Sequence, residues 1–122
     1  MNSSISLSST THTLSALLGG AGTPEILVFY HDLQLDAKKD AGEYPIGVQI
    51  TTLNGTNETN ILAAPAANVC RHIDAIICGN DESGAITLTI IYDVATTNNR
   101  LWKKVLQVDQ SFTYTKAGVQ II

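Results

Sequence analysis

Residues 69–94 constrain this chain more tightly than any other part of it. Val69 to Cys78 and Ile86 to Val94 are β-branched, alternating runs separated by the turn cluster Gly79-Asn80-Asp81-Glu82-Ser83-Gly84. Alternation predicts Val69, Arg71, Ile73, Ala75 and Ile77 on one face of the first strand. Cys70, His72, Asp74, Ile76 and Cys78 are then on the other. In the second strand Ile86, Leu88, Ile90, Tyr92 and Val94 are expected inward, with Thr87, Thr89, Ile91 and Asp93 outward. Helical periodicity is almost absent. The best helical window, Thr13 to Leu18, runs into Gly19-Gly20 and is too short to be stable alone.

Shorter strands fill the remainder. Ser4 to Ser8 alternates with Ile5 and Leu7 on one face, Ile26 to His31 is an apolar β-former run, and Ile46 to Ile50 alternates cleanly. Arg100 to Val108, Phe112 to Thr115 and Val119 to Ile122 are further strands, Thr11 to Leu17 offers another, and Thr59 to Ala63 returns toward Pro65 after the turn signal Asn54-Gly55. Asp36 to Glu43 reads as a charged loop. The chain of 122 residues is the size of one domain. The expectation is all-β: an antiparallel, jelly-roll-like β-sandwich of about eight strands in a meander. It spans 1–122, with 1–11 as an N-terminal arm ordered by a neighbouring surface.

Charge narrows the function classes. Eleven acidic against seven basic residues give a net charge of −4, without the basic stripe of a nucleic-acid binder. The pairs Lys38-Lys39 and Lys103-Lys104 read as solvated edges or loops. No apolar run approaches the roughly 18 to 20 residues of a membrane span, and no export signal is recognisable.

Candidate chemistry is sparse. Cys70 and Cys78 on one extended strand would stand roughly 27 Å apart, far beyond disulfide reach, and read as reduced thiols. His31-Asp32 with Asp36 offers imidazole and carboxylate ligands at a strand end, but an exposed terminus explains the same residues. His72 with Asp74, beside Cys70, suggests an acid–base pair, yet neighbours two apart on a strand sit nearly 7 Å from each other. Gly19-Gly20-Ala21-Gly22 lacks the Lys-Ser/Thr of a phosphate loop, and Asp81-Glu82 sits in a turn. The expectation is a protein without catalytic residues, metal or cofactor.

One family resemblance enters here. It is carried by Leu62-Ala63-Ala64-Pro65, Arg71-His72-Ile73-Asp74-Ala75-Ile76-Ile77 and Asn80-Asp81. Ile86-Thr87-Leu88-Thr89-Ile90, Leu101-Trp102, Phe112-Thr113-Tyr114 and Gly118-Val119-Gln120-Ile121 continue it. From Leu62 onward, about half the chain, the sequence resembles a β-sandwich domain common in small tailed-bacteriophage virion proteins. The resemblance implies a capsid decoration (cement) protein, a head fibre, or a neck or tail component. It also implies synthesis in the host cytoplasm, residence in the virion, and partners among major capsid, head–tail or tail proteins.

Two functional readings follow: a virion structural protein, or a ligand-binding β-sandwich such as a carbohydrate-recognition module. Sugar sites display exposed aromatics, and aromatics here are only 6% of the chain, with Trp102 the sole tryptophan. Trp102 is expected as a core or interface anchor. Arg71 is expected to be structural, its stem on the apolar face and its guanidinium reaching a loop carbonyl or an acid. Ile76 and Ile91, read as outward apolar residues, are candidate contacts in a homo-oligomer, a trimer or larger ring.

Overall fold

The computed structural model describes residues 5–34 and 46–122. The expected charged loop at 36–43, the Lys38-Lys39 pair and Asp36 lie outside them. Among these residues there are ten strands: β1 (Ser6–Leu7), β2 (His12–Leu18), β3 (Glu25–Gln34), β4 (Ile46–Thr52), β5 (Thr59–Leu62), β6 (Val69–Gly79), β7 (Ile86–Val94), β8 (Thr97–Leu106), β9 (Ser111–Thr115) and β10 (Gly118–Ile121). They form two antiparallel sheets packed face to face, as a β-sandwich requires. One runs β10-β9-β6-β3-β4 with β1 added on β6; the other runs β5-β2-β7-β8.

The order is not a meander. Only β3–β4, β7–β8 and β9–β10 pair as sequence neighbours; at the other connections the chain changes sheet. Asn54-Gly55 illustrates the difference. Gly55 adopts a left-handed φ of 56°, which a glycine tolerates without steric cost. Its amide donates to the Gly22 carbonyl at 2.9 Å and its carbonyl accepts from the Leu18 amide at 2.8 Å. The turn therefore ties two layers together instead of closing a hairpin.

Between the sheets lie Leu14, Ala16 and Leu18 of β2, Ile26 and Val28 of β3, Ile86, Leu88 and Ile90 of β7, and Phe112 and Tyr114 of β9. Each set is one face of an alternating strand, so burial follows directly from side-chain period. Trp102 of β8 joins the sheets, its ring centroid 5.7 Å from Phe112 and 5.1 Å from Tyr114.

The expected single face of β6 does not hold. Phe29 pairs with Ala75 and Tyr30 with Ile73, so Asp74 is an extra residue, a β-bulge. The bulge shifts side-chain parity. Val69 and Ile73 face the core before it, Ile76 and Cys78 after it, and Ala75 and Ile77 turn outward. Ile76 is fully buried and cannot be an outward contact. Ile91 does lie on the outer face of its sheet, opposite Ser15, but it is only 7% exposed. A second bulge explains the neighbouring strand: Ile90 pairs with Trp102 and Ile91 with Arg100, leaving Leu101 extra.

The arm is also partly built in. Leu7 is fully buried, β1 pairs with β6, and the Ile73 amide donates to the Ile5 carbonyl at 3.0 Å. Met1 to Ser4 lie outside the described residues.

Candidate interaction face

The outer face of the six-stranded sheet is the most distinctive surface of the molecule. Directly paired residues on antiparallel strands share a face. Leu27 pairs with Ile50 on one side and Ile77 on the other; Phe29 pairs with Val48 and Ala75; His31 pairs with Ile46 and His72. Ile26 and Val28 are buried in the core, so the alternate set points out. The result is an apolar surface led by β4, where Ile46 is 83%, Val48 46% and Ile50 57% exposed.

A polar cluster borders this surface. His31 Nδ1 lies 2.9 Å from both carboxylate oxygens of Asp74. The His31 ring stacks on that of His72 with centroids 5.0 Å apart, and His72 Nδ1 is 2.7 Å from the Ser6 hydroxyl. The anticipated pairing of His72 with Asp74 is thus replaced by a cross-strand one. Adjacent strands are closer than i, i+2 neighbours, and the bulge turns Asp74 toward β3. Cys70 is not part of this cluster. Ser6 meets His72 directly, and His31 joins them by stacking on the His72 ring.

The second anticipated grouping, His31 with Asp32, is also divided. Asp32 faces the opposite side of β3 and is held by Arg71: Nε donates to Oδ1 at 2.8 Å and Nη2 to Oδ2 at 3.0 Å. Arg71 Nη1 donates to the Ala63 carbonyl at 2.9 Å, and its guanidinium lies 4.4 Å from the centroid of the Tyr30 ring. The hydrogen bond to Asp32 raises the Arg71 pKa above its ordinary value, with burial opposing it. Arg71 meets both an acid and a loop carbonyl, the two contacts its position on β6 suggested. Gly47 completes this packing, because a Cβ there would clash with the Tyr30 ring.

Two polar sites went unnoticed in the sequence. Asn80 is 2% exposed and its Nδ2 donates to the carbonyls of Gly84, Leu106 and Gln107, at 3.0, 2.9 and 3.1 Å. Its Oδ1 accepts from the Glu82 amide at 2.9 Å. On the other sheet, the Ser15 hydroxyl donates to Asp93 Oδ2 at 2.5 Å, while Asp93 Oδ1 is buried and has no hydrogen-bond partner among the described residues. An Asn in a turn and an Asp in a Thr-rich strand are the only sequence signals for them.

The two cysteines are free, with Cys70 half-buried and Cys78 buried. Burial, aided by the nearby Asp81 charge, pushes the Cys78 thiol up to about 12. Lys103 and Lys104 are exposed on β8, the edge of the smaller sheet. An open polar depression is lined by Thr23, Glu25, Asn80, Asp81, Asp109 and Ser111. Among the described residues no group of three or more His, Cys, Asp or Glu is placed to hold a metal ion. No protein-family model, curated protein or solved structure matches the chain significantly.

Proposed function

We propose that this chain is a virion structural protein of a tailed phage, a capsid decoration (cement) protein or otherwise a neck or tail component, acting by docking and not by catalysis. The observation that supports docking is the outer face of the six-stranded sheet, where Ile46, Val48 and Ile50 stand exposed beside Leu27, Phe29 and Ile77. Contiguous apolar surface with a polar rim, here Ser6, His31, His72 and Asp74, marks interaction sites on otherwise polar proteins. The virion assignment itself rests on the sequence resemblance from Leu62 onward.

The alternative, a carbohydrate-recognition module, would use an exposed aromatic platform. Trp102 is instead packed against Phe112 and Tyr114 between the sheets, which counts against that reading. The test is quantitative mass spectrometry of purified particles, with co-sedimentation of added chain. A fixed copy number per particle is expected, together with at least a tenfold loss of co-sedimentation for Ile46→Asp. Absence from particles, or a glycan-array hit that survives Ile46→Asp, would overturn it.

A further inference from the structure

A sheet edge exposes a row of unpaired backbone N–H and C=O groups, and proteins usually blunt it with charge, proline, bulges or short length. Among the described residues, the four strands that end the two main strand orders differ sharply in that respect. β5 and β10 are four residues each, and β8 carries Arg100, Lys103 and Lys104. β4 is seven residues, Ile46-Gly47-Val48-Gln49-Ile50-Thr51-Thr52, with no charge, no proline and no bulge against β3. Among the described residues it pairs through one side only. Its other side is therefore, among the described residues, a long, regular template for another strand.

We propose that two copies of this chain join edge to edge through β4, antiparallel, about a two-fold axis passing by Gln49. The inference concerns the isolated chain and does not depend on the virion reading. Its occupant follows from chemistry and register. Only an extended strand satisfies a row of backbone groups, and an uncharged strand meets its own copy without like-charge repulsion. Centred on Gln49, all seven residues overlap: Ile46 opposes Thr52 of the second copy, Gly47 opposes Thr51, and Val48 opposes Ile50. A two-fold axis perpendicular to the sheet keeps both outer faces on the same side. The exposed Ile46, Val48 and Ile50 of the two copies then merge into one apolar surface. Gln49 points the other way and is already engaged, its Oε1 accepting from the Ala63 amide at 2.9 Å.

The contact is small. A seven-residue edge is about 24 Å long, and pairing it buries well under the roughly 1,200 Å² that separates weak interfaces from standard ones. The pair is accordingly expected to dissociate in the micromolar range or above and to remain in exchange with monomer.

Sedimentation equilibrium of the whole chain from about 5 to about 500 µM tests this, the range in which so small an interface titrates. The expected result is a monomer–dimer equilibrium. Val48→Lys and Ile50→Glu, at half-exposed positions that leave the core intact, should each weaken the dimer at least tenfold while circular dichroism stays unchanged. Because Val48 faces Ile50 of the other copy, an equimolar mixture of the two variants sets the introduced ammonium against the introduced carboxylate. That mixture should recover dimer to within about tenfold of wild type, and high salt should abolish the recovery. A wild type that is monomeric at the highest concentration, or trimeric, overturns the proposal. So does a mixture that associates no better than either variant alone.

Discussion

Asp74 holds His31 Nδ1 at 2.9 Å from both of its carboxylate oxygens, and it does so from a position that has no partner on β3. The two facts separate experimentally. The contact is partly exposed, with side chains 28% and 36% accessible, so Asp74→Ala should cost under about 1 kcal/mol. Deleting Asp74 instead removes the parity shift and would turn either Ile73 or Ile76 out of the core. Urea titration should show a near-normal midpoint for the substitution and no cooperative transition for the deletion.

Asn80 is the residue whose loss should hurt most for its size. Its amide nitrogen is almost fully buried and lies within hydrogen-bond reach of the carbonyls of Gly84, Leu106 and Gln107, which its two hydrogens share. Asn80→Ala is expected to destabilise by about 2–4 kcal/mol, the cost of leaving several buried acceptors unpaired. Asn80→Asp should be worse, since a carboxylate oxygen would then face those carbonyls. Equal midpoints for the two variants in thermal melts would contradict this account.

Arg71 tests the value of planar geometry. Arg71→Lys keeps the charge but cannot grip both oxygens of Asp32 while lying on Tyr30, and should lose about 1–2 kcal/mol. Asp32→Ala leaves the guanidinium without its acid and should lose about 2–3 kcal/mol. Combining the two changes should cost less than their sum, because they remove one shared interaction. Wild-type stability of Arg71→Lys would show that the fork contributes nothing.

The buried thiol sets an alkaline limit. In the unfolded chain Cys78 ionises near its ordinary value of 9.0, whereas in the fold burial keeps it neutral up to about 12. Proton release from the unfolded state alone then favours unfolding as pH rises. Stability should be intact below pH 9 and fall by up to about 1.4 kcal/mol per pH unit above it. Tyr92 and Tyr114, also raised by burial, act in the same direction at higher pH. Cys78→Ala should flatten the slope between pH 9 and pH 11 in chemical denaturation. Native alkylation should label Cys70 well before Cys78.

Local alternation was enough to read most strands, because the two-residue side-chain period is written directly into runs such as Ile86 to Ile90 and Ile46 to Ile50. It failed where a strand carries an extra residue. Asp74 and Leu101 look like ordinary members of their runs, and only pairing with β3 and β7 reveals them as bulges. The outward position that alternation predicts for Ile76 fails for that reason. The candidate face was hidden for a different one. Leu27, Phe29, Ile46, Val48, Ile50 and Ile77 come from three strands, and nothing in one dimension states that these strands are neighbours. The contacts of Ser6 with His72 and of Arg71 with Asp32 are likewise products of sheet order, although the residue types alone suggested that Arg71 would find an acid.

The frequent passage of the chain between sheets has a kinetic meaning. At β1–β2, β2–β3, β4–β5, β5–β6, β6–β7 and β8–β9 the next strand belongs to the opposite layer. A hairpin such as β7–β8 can close locally, but its apolar side has no cover until β9 and β6 arrive from across the sandwich. Loop-closure entropy must therefore be spent many times before burial returns it, the regime in which β-rich domains take milliseconds to seconds to fold. Until that search ends, the apolar faces of strands still waiting for their opposite layer are available to any strand that passes. A chain built this way reaches its native state fastest when it is dilute.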